Sequence, residues 1–395
     1  MSRRLRIAIV SQNPVLPLDN GGKIRNFHLF GALARRHDAT LLLTEAPDAA
    51  DVARLEAEGL RVVALPKPPG RGRYLAYLRQ VARGAPLDFA VQANPAVVAW
   101  LERHASEIDA VVVGSIGPTV NLPASLRRPV IIDTQNIDSA RRDSELASSP
   151  PLRRRLELRA FTAGIARFER RALRAATRVY VCSADEVRAL ARDGHRHVAV
   201  APNGVDLERI AATPEPESAD LVAFTGDLSY RPNIDAARWM AAEIAPAIRR
   251  RAPGVRLLAA GRDAGQDLRG ELAAAGVEVR SPVPDMLDVV REAAVVIVPL
   301  TSGGGTRLKI LEAFGAGRPV VSTRLGAEGI AAEHGRHLLI ADDAEGIAEA
   351  TARLLADPAL RAGLAREARA LVEREYGWRA IGDALAQDVE AVLAR

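Results

Sequence analysis

Short runs of apolar and β-branched residues alternate along the chain with longer stretches whose apolar positions recur every three or four residues. The short runs suit buried strands and the longer ones amphipathic helices, so the alternation predicts βαβ units and parallel sheets. In the first half the strand candidates are Leu5–Val10, Ala39–Leu43, Arg61–Leu65, Ala110–Val113, Val130–Asp133 and Arg178–Cys182. In the second they are Leu221–Phe224, Arg256–Ala260, Val277–Arg280, Ala294–Val298, Pro319–Ser322 and His337–Ile340. Six strands per half fit one doubly wound sheet each.

A chain of 395 residues exceeds what one hydrophobic core usually serves, which points to two domains. Val198–Asp206 reads as a short strand ending in Pro202-Asn203-Gly204, and Ala211–Asp220, rich in Pro, Ser and acids, reads as a linker. From Pro358 a helix runs to a break at Tyr376-Gly377-Trp378, and a second amphipathic helix follows. With no strand of its own to follow, that last helix is expected to pack back on the first domain. The predicted boundaries are 1–200, 207–375 and 376–395, with the last segment returning to the first.

Ligands of open α/β sheets bind where strands lead into helices, so the loops after strands are the places to look for chemistry. After the first strand, Gly21-Gly22 opens a helix running from about Lys23 to Arg36. Its bare N–H groups, helped by Lys23 and Arg25, suit an anion, although a plain strand-to-helix turn explains the loop equally well. The strongest local signal is Ser302–Ser322, where three glycines open a helix from about Thr306 that stops at Gly315. Arg307 and Lys309 in its first turn oppose the macrodipole, an arrangement that an anion would offset. Glu312 reads either as a surface ion-pair partner of Lys309 or, one turn deeper, as an acceptor for ribose hydroxyls.

Three more loops reach the same strand ends. Thr225–Asn233 brings Gly226 and a candidate phosphate ligand, Arg231. Gly261-Arg262-Asp263 contributes Arg262, which reads as solvent-exposed. In the first half, Asp133–Asp138 presents the polar groups of Gln135 and Asn136, or simply turns on its own side chains. Neither GxGxxG nor a Walker spacing occurs, so an ordinary dinucleotide or P-loop site is not supported.

Composition removes other classes. Apolar residues make up 48% and charged residues 26%, without a biased tract, so the chain can bury a core throughout. Aromatics at 4% leave no stacking platform for single-stranded nucleic acid, and no nucleic-acid partner is expected. The seven histidines are scattered and Asp-x-Asp is absent, so no metal and no cofactor are expected. Cys182 reads as a small buried side chain. The longest apolar run, Ala293–Leu300, is strand-like and too short to span a bilayer, which leads to a cytoplasmic expectation. Charge is uneven: residues 1–200 carry 31 Lys and Arg against 20 Asp and Glu, and residues 201–395 carry 23 against 29. Nine arginines against two glutamates between Arg153 and Arg178 raise the expectation of peripheral contact with an anionic membrane on its inner face, with solvated helices as the competing reading.

The Gly21-Gly22 loop, Pro202-Asn203-Gly204-Val205-Asp206, Ser302–Ser322 and Tyr376-Gly377-Trp378 together resemble family-4 retaining glycosyltransferases of the GT-B fold over nearly the whole chain. The resemblance implies two Rossmann-like domains facing across a cleft and an NDP-sugar donor, UDP- or GDP-linked, held mainly by the second domain. It implies diphosphate contacts from Arg231, Arg307 and Lys309, the candidate catalytic cations, and a ribose contact from Glu312. The donor segment then comprises Gly304, Gly305, Thr306, Arg307, Leu308, Lys309 and Glu312, with Gly226, Arg231 and the Gly21-Gly22 loop near the phosphates. Lys23, Gln135 and Asn136 fall on the acceptor side. Two positions depart from the family pattern: Gly304 stands where the first acid of a Glu-x7-Glu pair is usual, and Gln135 where many members have histidine. The expected reaction moves a hexose, with retention, to a hydroxyl of a cell-surface glycan or lipid-linked saccharide. An NDP-sugar epimerase and a non-catalytic sugar-nucleotide binder are the alternatives.

Overall fold

The computed structural model describes residues 3–11, 14–135, 137, 139, 152–211, 220–303 and 306–394, with residues 152–161 described by backbone alone. Asn136, Gly304, Gly305 and most of the expected linker lie outside the described residues. The chain divides into two units, Met1–Pro202 with Trp378–Arg395, and Asn203–Gly377.

The first unit holds a parallel sheet of β1 (Arg6–Ser11), β2 (Asp38–Leu43), β3 (Arg61–Ala64), β4 (Ala110–Val113), β5 (Val130–Asp133), β6 (Arg178–Val181) and β7 (Val198–Val200). Their order is β3-β2-β1-β4-β5-β6-β7. Six strands were expected in this sheet, and the short strand read from Val198 joins it as the seventh, Val198–Val200, paired with β6. The order of strands reverses between β1 and β4, which pair in parallel through Ile7 to Val10. Burial on both faces explains why these strands read as unbroken apolar runs: Ile7, Ala8, Ile9, Val10 and Ala110–Val113 are all buried.

The helix Trp378–Leu393 belongs to this first unit. Gly382 lets it approach the helix Gly21–Arg36 closely, since a Cβ there would lie 2.5 Å from that of Ala32. The His28 and Trp378 rings stack 5.1 Å apart. Arg178 grips Asp388 through two hydrogen bonds of 2.7 and 2.9 Å, and the Tyr180 hydroxyl donates to the same carboxylate over 2.8 Å.

The second unit repeats the plan with β8 (Leu221–Asp227), β9 (Arg256–Arg262), β10 (Glu278–Arg280), β11 (Val295–Val298), β12 (Val320–Ser322) and β13 (Leu339–Ile340). Their order is β10-β9-β8-β11-β12-β13, all parallel, so the winding switches between β8 and β11. β8 and β9 run further than the apolar runs predicted, through Gly226 and Gly261, which face each other in register. A Cβ on Gly261 would overlap the carbonyl oxygen of Gly226, so the extension depends on glycine at that position.

Candidate functional site

At the end of β8 in the second unit, four side chains from three segments converge. The helix Leu308–Gly315 starts two residues later than expected, with Arg307 in an extended conformation just before it. Arg307 is therefore outside the first turn, and only Lys309 sits within it. Arg307 is 9% exposed, and its Nη2 donates to the Gly303 carbonyl over 2.9 Å. Gly303 adopts φ 102°, a left-handed conformation that favours glycine, and lies against Pro232 and Arg307.

Lys309 reaches back to β8. Its Nζ donates to Asn233 Oδ1 over 3.0 Å and stands 4.4 Å from the centroid of the Phe224 ring. Asn233 is held in turn, because its Nδ2 donates to the Asp227 carbonyl over 2.8 Å. Gly226 makes room for the pair: a Cβ there would lie 2.8 Å from both Lys309 Nζ and Asn233 Nδ2. Burial lowers the Lys309 ammonium to about 7, with the Arg307 charge pushing the same way and Glu312 opposing both. Burial likewise lowers Arg307 from its ordinary value, opposed by Tyr230 and Glu328.

Two polar groups nearby have no side-chain partner among the described residues. The Thr306 hydroxyl is buried and makes no hydrogen bond among the described residues. Glu312 is half-buried and makes no ion pair with Lys309, whose ammonium turns to Asn233 instead, contrary to the surface-pair reading. Desolvation raises its carboxyl above the usual range, against the pull of Arg209 and Lys309. Leu308 packs against the core of this unit.

Arg231 does not join this group. It opens the helix Arg231–Trp239, is mostly exposed, and pairs with Asp235 one turn on at 2.9 Å. Arg262, read as solvent-exposed, is instead half-buried and bonds Asp227 over 2.8 Å. Asn233 and Phe224 escaped the sequence reading. Asn233 looked like an ordinary helix-start residue, and Phe224 like one more apolar position of a strand.

In the first unit, Asn20 caps the helix Gly21–Arg36 by accepting from the Lys23 amide over 3.0 Å. Lys23 pairs with Asp19 at 3.1 Å. Gln135 lies against Gly22, where a Cβ would overlap its amide oxygen. Its Nε2 is within hydrogen-bond distance of Asn26 Oδ1 at 3.0 Å and of the carbonyls of Gly114 and Gly22 at 3.2 and 3.3 Å. Cys182 is buried as expected and donates to the Gln135 carbonyl. Arg25 and Asp133, read as part of the ligand loops, are corrected: both are buried in a bidentate pair of 2.8 and 2.5 Å, and Arg25 also donates to the Pro202 carbonyl. Burial opposes the Arg25 charge, but Asp133 outweighs it and raises the guanidinium. The spacing of 108 residues between the partners hid this pair.

Two family models match the chain. The Glycosyl transferase 4-like domain model covers residues 20–204, and the model for Glycosyl transferases group 1 covers residues 219–357. The chain belongs to the group 1 glycosyl transferases. The group 1 model spans the helix Leu308–Gly315, and the Glycosyl transferase 4-like model spans the Gly21-Gly22 loop. A D-inositol 3-phosphate glycosyltransferase of Saccharomonospora viridis is 34% identical over 209 residues, 46% of this chain and 47% of that protein. A glycogen synthase of Mycobacterium tuberculosis is 29% identical over 221 residues, 52% of each. The chain thus spans about half the length of the curated relatives it matches. Among solved structures, HepE of Anabaena in complex with UDP superposes with a TM-score of 0.69 at 17% identity, covering 98% of this chain and 100% of that one. That likeness establishes the fold, the two-domain GT-B architecture of the family.

Proposed function

We propose that the protein transfers a hexose from an NDP-sugar, UDP- or GDP-linked, to a hydroxyl of a saccharide or lipid-linked acceptor. The observation that carries this reading is the Lys309 ammonium, desolvated beside Arg307 at a helix mouth and making no ion pair with a described carboxylate. A buried cation with no ion-pair partner among the described residues is stabilised by an anion, and a diphosphate supplies one. Thr306 offers a hydroxyl to the same anion, and Glu312 an acceptor for a ribose diol. The family's nucleotide-sugar chemistry and the UDP bound by HepE support the donor class.

In the proposed reaction the bond between the sugar's anomeric carbon and the diphosphate oxygen breaks, and one to the acceptor oxygen forms. The acceptor's proton passes to the departing diphosphate on the same face, which retains configuration, as the family resemblance implies. Lys309 and Arg307 stabilise the negative charge that grows on the leaving group, and this preorganised electrostatic field is the main catalytic contribution. With two cations and a helix N-terminus meeting that charge, the proposal includes no metal. Arg231 enters only if it leaves Asp235, an exposed pair worth little energy.

In the first unit the N–H groups of Gly21 and Gly22 remain a proposed phosphate contact, the Lys23 amide being taken by Asn20, and Gln135 a proposed acceptor-side group, with the Lys23 side chain first released from Asp19. The reading also includes peripheral contact with an anionic membrane. The test is NDP release from a panel of NDP-sugars with and without acceptor. Release that rises with acceptor supports transfer, and donor binding without release would favour the non-catalytic binder that Gly304 and Gln135 suggest.

A further inference from the structure

Many surface arginines of this protein are matched with acids. Arg188 pairs with Asp185, Arg238 with Glu271, Arg250 with Glu345, Arg256 with Glu278, and Arg280 with Glu292. Unmatched arginines gather on two helices of the first unit. On the helix Leu152–Ala175, Arg167, Arg170, Arg171 and Arg174 are exposed and make no ion pair with a described carboxylate. Their spacing puts them on one face, where they line an open depression of about 530 Å³. Like charges three and four residues apart repel, so this face is unfavourable without an anionic partner.

The helix Arg71–Ala82 contains no acid, and its Arg71, Arg73 and Arg79 are likewise exposed and unmatched. Its inner side is anchored: Ala76 is buried, and Tyr77 and Val81 pack with Phe89, Ile165 and Phe168. Its outer side carries Tyr74, Leu75 and Leu78, which are 61%, 54% and 40% exposed. Leu87 and Val91 follow at 48% and 47%, so five of the seven exposed large hydrophobics among the described residues fall within 18 positions of the chain. The two helices adjoin, since Arg171 donates to the Arg83 carbonyl over 3.1 Å and the Phe89 and Phe168 rings lie 5.4 Å apart.

We infer that this surface docks on an anionic lipid bilayer, with Tyr74, Leu75 and Leu78 entering the interface and the arginines of both helices on the headgroups. An exposed apolar stripe flanked by arginines on an acid-free helix is the arrangement of interfacial helices. A soluble polyanion would engage the arginines but leave Leu75 and Leu78 in water, so the bilayer accounts for both features. The inference makes specific the membrane contact of the proposed function and does not rest on the donor chemistry.

The experiment is flotation of the full chain with vesicles of phosphatidylcholine alone or mixed with increasing phosphatidylglycerol. Wild-type binding should rise steeply with the anionic share, a measurement that needs no substitution. The quadruple variant R167E/R170E/R171E/R174E should lose at least about tenfold in partitioning. L75S/L78S should also weaken it several-fold, with far-UV circular dichroism and the thermal shift caused by NDP-sugar unchanged in both. Binding indifferent to anionic lipid, or unaffected by either variant, overturns the inference. So does binding in which a soluble acidic polysaccharide competes fully and L75S/L78S is silent, because that describes a polyanion site. Loss of NDP release with intact flotation would instead count against the transferase reading alone.

Discussion

The Lys309 ammonium donates to Asn233 Oδ1 over 3.0 Å, which ties the first turn of the helix Leu308–Gly315 to the helix that follows β8. Asn233 is a neutral acceptor, so it orients Lys309 without cancelling its charge. The Phe224 ring beneath contributes only a quadrupole. A carboxylate in Asn233's place would neutralise the cation proposed to meet the diphosphate.

Lys309→Met should therefore lower the rate of NDP release by on the order of 10²-fold, the cost typical of losing one preorganised charge-stabilising group. It should also abolish most of the thermal stabilisation that NDP-sugar confers on the wild type. Initial rates and thermal shifts, measured together, check it.

The pH dependence of stability follows from the same burial. Lys309 falls from 10.5 to about 7, so between these values the unfolded chain holds a proton that the native chain has released. Stability then rises with pH through this window, and the full cost of the buried charge is felt below pH 7. Free Lys309→Met should melt above wild type at pH 6, with the difference shrinking by pH 9. Thermal melts across that range decide the sign.

Donor affinity should run the opposite way. A diphosphate favours protonated Lys309, so binding takes up a proton near and above pH 7, and affinity declines from pH 7 to pH 9. Calorimetry in buffers of different ionisation enthalpy measures the uptake, which Lys309→Met should remove.

Gly226→Ala would place a Cβ 2.8 Å from Lys309 Nζ and Asn233 Nδ2, both ends of side chains that can move. The protein should fold, with donor KM raised and the thermal shift reduced. Gly261→Ala presses on the backbone of Gly226 and should cost about 1–3 kcal/mol of stability. Denaturant titration of the two variants separates site damage from fold damage.

The sheets were legible because parallel strands buried on both faces are written as runs such as Val295–Val298, and glycines marked the site loops. β8 and β9 were read short because Gly226 and Gly261 look like loop punctuation, while register pairing keeps both in the strands. Arg25 and Asp133 looked like ligand groups because a residue's own segment says nothing about a partner 108 positions away. Arg307 and Lys309 were visible from their conflict with the helix dipole. Asn233 and Phe224 were not, since their role exists only once the long Lys309 side chain folds back onto β8.

The most direct test of the central claim is NDP release from UDP-, GDP- and ADP-sugars by purified protein, wild type and Lys309→Met in parallel, with and without a membrane-lipid acceptor fraction. Release from one donor, raised by acceptor and lowered about 10²-fold in the variant, is the predicted result. Equal turnover by wild type and variant would contradict the assignment of the diphosphate to Lys309, and with it the proposed site.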